Sequence, residues 1–171
     1  MLAGALAACV PASAPSAPAA PPPAPARQPA PPAPPPPQAA VFDNWIDAPQ
    51  TPGTWRYQGQ SARTEAVFVG SNDAPLMRLR CVAESGRKGM VLSLPESGAA
   101  RPLVTIRTQK ATKTWEAQPA GRETLLALDA RDPVLDAMAF ARGRFAIEAA
   151  GLPPLYLPSW PEVSRVIEDC R

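Results

Sequence analysis

Proline is the residue that most constrains how this chain can fold. Fourteen of its 25 prolines lie between Pro11 and Pro37, in a stretch composed almost wholly of Pro, Ala, Ser and Gln. Proline fixes φ and removes the backbone donor, so this stretch favours solvated polyproline II over helix or sheet. We therefore expect a disordered Pro/Ala-rich tether over residues 10–40 and a single β-rich globular domain over residues 41–171.

The length of the tether predicts how far the domain can stand from its point of attachment. Polyproline II rises about 3.1 Å per residue, so the 28 residues from Pro11 to Gln38 would span on the order of 90 Å when extended. Such a semi-rigid spacer would let a lipid-anchored domain stand well off the membrane. The alternative interpretation is a PxxP ligand for an SH3-like domain.

The first nine residues, MLAGALAAC, indicate the compartment. Leu6-Ala7-Ala8-Cys9 has the form of a bacterial lipobox, in which an apolar run and two small residues precede the cysteine that is lipidated. A complete signal also carries a basic region and a longer apolar run, so we expect the true translation start upstream of Met1. Val10 rather than Asp follows Cys9, which by similarity to the sorting rule of enteric bacteria favours the outer membrane, facing the periplasm. A chance cysteine in an Ala-rich start is the alternative.

Charge and residue usage argue against several classes of function. The formal net charge is +2 and only Arg27 among the charged residues precedes the domain, so no basic excess points to nucleic acid. The chain contains no histidine, which excludes Ser-His-Asp and Cys-His catalysis and most zinc sites. No phosphate-binding glycine pattern is present. We expect no catalytic residue, no metal and no cofactor.

Three carboxylates keep one enzymatic alternative open. Asp129, Asp132 and Asp136 could form paired acids for glycoside cleavage. Asp132 is better placed as a helix cap, and Asp136 falls on the solvated side of the same predicted helix. A cell-wall hydrolase therefore remains an alternative to the non-catalytic interpretation.

The domain shows the two-residue alternation of strands. Within Leu76–Val82, Met77, Leu79 and Cys81 share one face while Arg78 and Arg80 share the other. Similar short runs recur between turn residues, and we expect strands over Thr54–Gln58, Glu65–Val69, Leu76–Val82, Met90–Leu94, Leu103–Arg107, Thr112–Ala117, Thr124–Leu128, Arg144–Ala149 and Leu155–Leu157. The pattern predicts a mainly β fold, either an antiparallel β-sandwich or a partly open barrel.

Two short helices are expected near the C-terminus. Asp132 as N-cap and Pro133 at the first helical position predict a helix over Pro133–Arg142 that is closed by Gly143. A capping box over Ser159–Glu162 predicts the start of the last helix. Its apolar residues recur at helical spacing and form one stripe: Val163, Val166, Ile167 and Cys170.

The three cysteines are expected to have two different roles, lipidation and disulfide formation. If Cys9 carries lipid, Cys81 and Cys170 remain on the inner faces of their elements, in a compartment where disulfides persist. A bond between them would close a loop of about 90 residues and contribute roughly 4 kcal/mol in the chain-entropy model. Two buried free thiols are the alternative.

Five arginines are candidates for binding an anion or a partner: Arg78, Arg80, Arg107, Arg142 and Arg144. Guanidinium groups bind carboxylate and phosphate in bidentate fashion, so together they could hold a lipid headgroup or a glycan carboxylate. The alternative is ordinary surface ion pairing with Glu84, Glu148 and Asp136. Five aromatic side chains could similarly line a saccharide groove, although core packing is their more usual role: Trp55, Tyr57, Trp115, Tyr156 and Trp160.

The segment between tether and domain is unusually apolar. Phe42, Trp45 and Ile46 stand where a disordered linker would be polar. They are interpreted as a lead-in that packs on the domain or, alternatively, as an exposed docking segment for a partner.

The region from about Trp45 resembles an uncharacterised group of envelope proteins from sphingomonad-type α-proteobacteria. The motifs that carry the resemblance are NWIDAP, LRC, ARDPVLDAMAFARGRF, LYLPSWPEV and VIEDC. More distantly, the order of LRC, an L-P loop, a late arginine-rich strand and a closing G-L-x-x-L segment is similar to the invasion-associated locus B family and to the TagO-like accessory proteins of type VI secretion. These resemblances imply a periplasmic β-sandwich domain with a disulfide.

Taken together, the residues predict a lipid-anchored, non-catalytic module of the cell envelope with a binding or structural role. Its expected partners are the membrane, through the anchor, and a protein or envelope polymer. An accessory or inhibitor protein of a secretion or invasion system is the first alternative, and the cell-wall hydrolase is the second.

Overall fold

A computed structural model describes residues 44–60, 63–84 and 86–171. This part of the chain contains ten strands and two helices. No helix within it is long and apolar enough to cross a membrane. The predictions that concern Cys9, the tether and Phe42 fall outside these residues.

Six antiparallel strands form the larger sheet, in the order β1-β2-β3-β4-β8-β7. Their bounds are Gly53–Gln60 (β1), Arg63–Gly70 (β2), Pro75–Glu84 (β3), Arg87–Pro95 (β4), Gln118–Ala120 (β7) and Glu123–Asp129 (β8). Sequence alternation failed to predict only β7. All three residues of that strand are exposed, so none contributes to a buried face.

The smaller sheet contains four antiparallel strands in the order β10-β9-β5-β6. Their bounds are Leu103–Arg107 (β5), Thr112–Glu116 (β6), Arg144–Ala149 (β9) and Leu155–Pro158 (β10). The two sheets do not join into a closed barrel, so the mainly β, two-sheet prediction is confirmed.

The core lies between the sheets. Met77, Leu79 and Cys81 on β3 are buried, as the alternation predicts, and they share one cluster with Phe145 and Ile147 of β9. Full burial of one such aliphatic or aromatic side chain is worth about 1.5–3 kcal/mol. The outer residues of the same strand, Arg78 and Arg80, stay partly solvated.

Trp55 joins the edges of the two sheets. Its ring packs edge-on against Phe68 of β2, with centroids 5.2 Å apart. Its Nε1 donates to the Pro158 carbonyl of β10 at 2.9 Å. One side chain therefore fills the core and also satisfies a buried backbone acceptor.

The helix Pro161–Asp169 (α2) lies against β1, β2 and β3. Its predicted apolar stripe is buried, and Cys170 forms a disulfide with Cys81 of β3, with Cα atoms 5.3 Å apart. The alternative of two free thiols is therefore wrong. The bond spans 89 residues and fixes the end of the chain to the middle of the larger sheet.

Polar contacts reinforce this attachment of α2. Tyr57 Oη of β1 donates to Asp169 Oδ2 at 2.6 Å, and the Arg165 guanidinium stacks 4.0 Å from the Tyr57 ring centroid. The hydrogen bond to the Asp169 carboxylate raises the pKa of Tyr57, because that bond needs the phenolic proton. Lys88 Nζ also donates to the Asp169 carbonyl at 3.0 Å.

The helix Pro133–Ala139 (α1) is shorter than predicted. Asp132 caps it as expected, accepting from Val134 N at 3.0 Å. The helix ends three residues before the predicted Arg142 because Ser159 Oγ donates to the carbonyls of Met138 and Ala139, at 2.7 and 3.0 Å. Those two carbonyls would otherwise accept from the next turn of helix.

The predicted capping box at the start of α2 is wrong for the same reason. Trp160, not Ser159, occupies the N-cap position, and no side chain caps the helix. Ser159 lies one residue before the N-cap, and its Oγ contacts the carbonyls at the end of α1 instead of the free N–H groups at the start of α2. The capping-box motif therefore fails to predict the cap, because Ser159 makes its contact with a residue twenty positions away in the sequence.

The lead-in segment packs on the outer face of the smaller sheet. Trp45 and Ala48 form a second buried cluster with Ala146 of β9 and Tyr156 of β10. Arg144 Nη1 donates to the Ala48 carbonyl. Ile46, in contrast, is 44% exposed.

We predict that removing the disulfide destabilises the domain by roughly 4 kcal/mol, because the long loop it closes would regain its freedom in the unfolded chain. The Cys81→Ser/Cys170→Ser double variant should show this loss in urea unfolding monitored by tryptophan fluorescence. Wild type unfolded in reductant is the matched control and should shift by a similar amount. An unchanged midpoint in both would contradict a stabilising role.

Candidate functional site

Two of the five candidate arginines lie on the outer face of the larger sheet, where acids already neutralise them. Arg78 Nη1 lies 3.5 Å from Glu65 Oε1, and Arg78 Nε lies 3.7 Å from Glu123 Oε1. Arg80 lies between the same two carboxylates, at 3.8 and 3.9 Å, and donates to Ser93 Oγ at 3.0 Å. Two bases and two acids thus form a neutral network across four strands.

Arg107 and Arg144 lie on the opposite side of the domain, on the outer face of the smaller sheet. Arg107 Nη1 bonds Glu148 Oε1 at 3.0 Å, as the ion-pair interpretation expects. Arg144 binds the Ala48 carbonyl and so holds the lead-in. Because these arginines face away from Arg78 and Arg80, the five do not form one anion site.

The three aspartates considered for glycoside cleavage each accept bonds from the fold. Asp129 Oδ1 accepts from Arg131 N at 2.8 Å, and Asp136 pairs with Arg171 at 2.6 Å. Asp132 also pairs with Lys113 Nζ at 2.8 Å. Burial alone would raise the pKa of Asp132, but hydrogen bonds from Lys113 and Val134, with the Lys113 charge, outweigh it and hold that pKa below its usual range.

The aromatic residues considered for a saccharide groove are dispersed. Trp55 lies in the main core, while Tyr156 lies beneath the lead-in on the other side of the smaller sheet. Lys113 Nζ lies 4.9 Å from the Trp115 ring centroid, and Tyr57 bonds α2. Only Trp160 is substantially exposed among them.

Arg142 differs from the other four candidates. Within the described part of the chain, its guanidinium has no hydrogen-bond or ion-pair partner, and it is exposed. Two residues before it, Phe140 is 66% exposed, which is unusual for a phenylalanine. Trp160 is 39% exposed. We call Phe140, Arg142, Trp160 and Lys110 the aromatic–basic surface.

Ser159 brings the two aromatic residues of this surface together. It directly precedes Trp160, and its hydroxyl binds the two carbonyls that directly precede Phe140. Its backbone N–H donates to the Gly143 carbonyl at 3.1 Å, just after Arg142. Gly143 has φ +85°, so glycine is needed for the chain to turn there from α1 into β9. Both aromatic residues therefore lie on a rigid junction between the helices.

Gln109 brings Lys110 to the same end of the domain. Its Nε2 donates to the carbonyls of Arg142 and Arg144, at 3.1 and 3.3 Å. Lys110 is exposed, and no partner for its ammonium lies within the described residues. The acid nearest in sequence to Trp160 is Glu162, which is half-buried in the first turn of α2, where the helix dipole favours its charge.

The sequence contained one signal for this surface. The inward stripe of α1 runs through Val134, Leu135 and Met138, and these residues are buried. Phe140 falls outside that stripe, so the sequence pattern places this large apolar side chain on the solvent-facing side. The exposure of Trp160 could not be inferred from sequence, because it depends on how Ser159 joins the two helices.

No group of three or more histidine, cysteine or carboxylate side chains comes together as metal ligands within the described residues. The chemistry that the aromatic–basic surface can perform is recognition. Two aromatic faces offer apolar contact, and two unpaired bases offer hydrogen bonds to an anion.

The chain has few recognisable similarities to known proteins. No protein-family model matches the chain, and no curated protein matches it. Among solved structures, the chain is similar to invasion associated protein B from Bartonella henselae, with a TM-score of 0.39 and 15% identity. The match covers 63% of this chain and 82% of that one.

We predict that Ser159→Ala destabilises the domain by about 1 kcal/mol, because the Ala139 carbonyl loses the Ser159 donor and the Met138 carbonyl is left with backbone donors such as Ala141 N at 3.3 Å. Urea unfolding would measure the change. Ser164→Ala is the matched control, since Ser164 Oγ makes only an exposed bond to Pro161 O within its own helix. The control should lose less than about 0.5 kcal/mol. Equal losses in both variants would contradict the role assigned to Ser159.

Proposed function

We propose that this protein is a lipid-anchored, non-catalytic binding module of the cell envelope, and that it contacts its partner with the aromatic–basic surface. The observation that carries the proposal is that Phe140, Arg142 and Trp160 are exposed together on a rigid junction. Two apolar rings held in water cost free energy that contact with a partner would recover.

The charged groups that could have supported catalysis support the non-catalytic interpretation, because they carry structural contacts instead. Asp132 caps α1, Asp136 binds the last residue of the chain, and Glu65 and Glu123 neutralise the outer arginines. A general acid or base needs a carboxyl group that can reach substrate. These carboxylates are already occupied by guanidinium, ammonium or backbone donors.

The disulfide supports placement in the envelope. Cys81 and Cys170 are bonded, and such bonds persist in the periplasm rather than the cytosol. The lipobox form of Leu6–Cys9 supports a diacyl anchor, and Val10 supports the outer membrane. On this proposal the tether presents the domain to the periplasm, where the candidate partners are a protein, an envelope polymer or the membrane.

The anchor is tested by metabolic labelling. We expect labelled palmitate to enter the protein expressed from its own locus, and the protein to fractionate with outer membranes. Cys9→Ser should abolish both, because the acylated thiol is lost. Ser164→Ala, a change at an exposed bond within α2, is the control and should leave labelling unchanged. Label retained by Cys9→Ser would contradict the proposed anchor.

The binding surface is tested by photo-crosslinking in intact cells. A photoreactive phenylalanine analogue at position 140 should give an adduct with a lipid, a polymer or a protein of the envelope. Position 103 is the matched control, since Leu103 is 53% exposed on the outer face of the smaller sheet. Adducts at neither position, or equally at both, would count against a binding role for this surface.

A further inference from the structure

We infer that the partner of the aromatic–basic surface is an anionic membrane surface, which the anchored domain contacts in addition to its lipid. The inference rests on the proposed function, because it takes the anchor and this surface as given. The alternative partner for the same surface is a protein.

The first argument is the kind of apolar group that is exposed. Tryptophan and phenylalanine both enter the boundary between headgroups and acyl chains, where their rings are desolvated and the tryptophan N–H stays hydrated. Phe140 and Trp160 both lie at helix ends, so each projects from a fixed backbone. Insertion therefore requires no refolding of the domain.

The second argument is charge complementarity. Arg142 and Lys110 are exposed, and hydrogen bonds from Gln109 and Ser159 bring their backbones to the same junction as the rings. Neither base has a partner within the described part of the chain. Each base near an anionic bilayer is worth about 1 kcal/mol, and the attraction falls off within a Debye length. Glu162 opposes them, but its side chain is half-buried at the start of α2. The local balance favours lipid phosphate.

The third argument is size. A stable protein interface buries about 800 Å² on each partner, whereas a whole aromatic side chain buries 150–250 Å². Phe140 and Trp160 are 66% and 39% exposed, so together they offer well under half of that area. A contact this small is weak in free solution. It becomes significant when the lipid anchor confines the domain within the tether's reach of the membrane, because confinement raises the effective concentration of the binding surface.

The test is vesicle binding by the full 171-residue chain carrying Cys9→Ser, which removes the anchor and leaves the surface intact. Vesicles of phosphatidylglycerol and phosphatidylethanolamine should bind the protein measurably at high lipid concentration, and phosphatidylcholine vesicles much less. Phe140→Ser should weaken binding about tenfold, and Arg142→Gln roughly fivefold. Leu103→Ser is the matched control and should bind like the parent chain.

Brominated lipids give a second readout. They should quench tryptophan emission in the parent chain, and Trp160→Phe should lose most of that quenching while retaining binding, because the ring is conserved. Trp45 and Trp55 are buried and Trp115 packs against the core, so these three should contribute little. Equal binding by the Phe140→Ser and Leu103→Ser variants would overturn the inference, as would binding to phosphatidylcholine that is equally strong.

Failure of this inference can be told apart from failure of the proposed function. If vesicles do not bind but position 140 crosslinks in cells to a protein, the partner is that protein and the membrane inference is wrong. The proposed binding surface would then stand. If neither vesicles nor crosslinks report on position 140, both are wrong.

Discussion

The rest of the structure depends on the bond between Cys81 and Cys170, together with the apolar stripe beside it. They fix α2 across the first three strands of the larger sheet. Once α2 is fixed, its first turn lies beside the end of α1, and the Ser159 hydroxyl can bind the carbonyls there. The position of Trp160 follows from that contact. A covalent bond in the core thus determines, through one helix, which residues reach solvent at the far end.

Local sequence patterns were sufficient for much of the fold. Alternation identified β3 and its inward cysteine, because a strand with one buried face must repeat every two residues. The apolar spacing of α2 identified its buried side. Patterns of this kind failed where a distant element competes for a polar group. The end of α1 and the start of α2 both depend on the contact that Ser159 Oγ makes with the α1 carbonyls, and neither could be inferred from neighbours in sequence.

The candidate site was less accessible to prediction, because exposure is a property of assembled elements. The arginines were correctly identified as residues outside the core, but which acid each one meets depends on strand order. Arg78 reaches Glu123 only because β8 lies beside β4, a pairing of strands that are distant in sequence. Arg78, Arg80 and Arg107 are neutralised by acids, and Arg144 binds a backbone carbonyl. The fifth arginine, Arg142, is therefore distinguished by its lack of contacts and not by its sequence context. Exposed ion pairs of this kind add little stability, so they serve mainly to keep two sheet faces soluble.

The lead-in has a mechanical consequence. Trp45 and Ala48 lie on β9 and β10, and Arg144 holds the Ala48 carbonyl. A force applied through the residues before Asn44 therefore reaches the smaller sheet before it reaches β1, which is the edge strand of the larger one. The buried ring must slide out before the ladder of β1 can be unzipped from its end. Such a force therefore acts first on the apolar contact between the lead-in and the smaller sheet, and it does not separate β1 from β2 starting at the end of the strand.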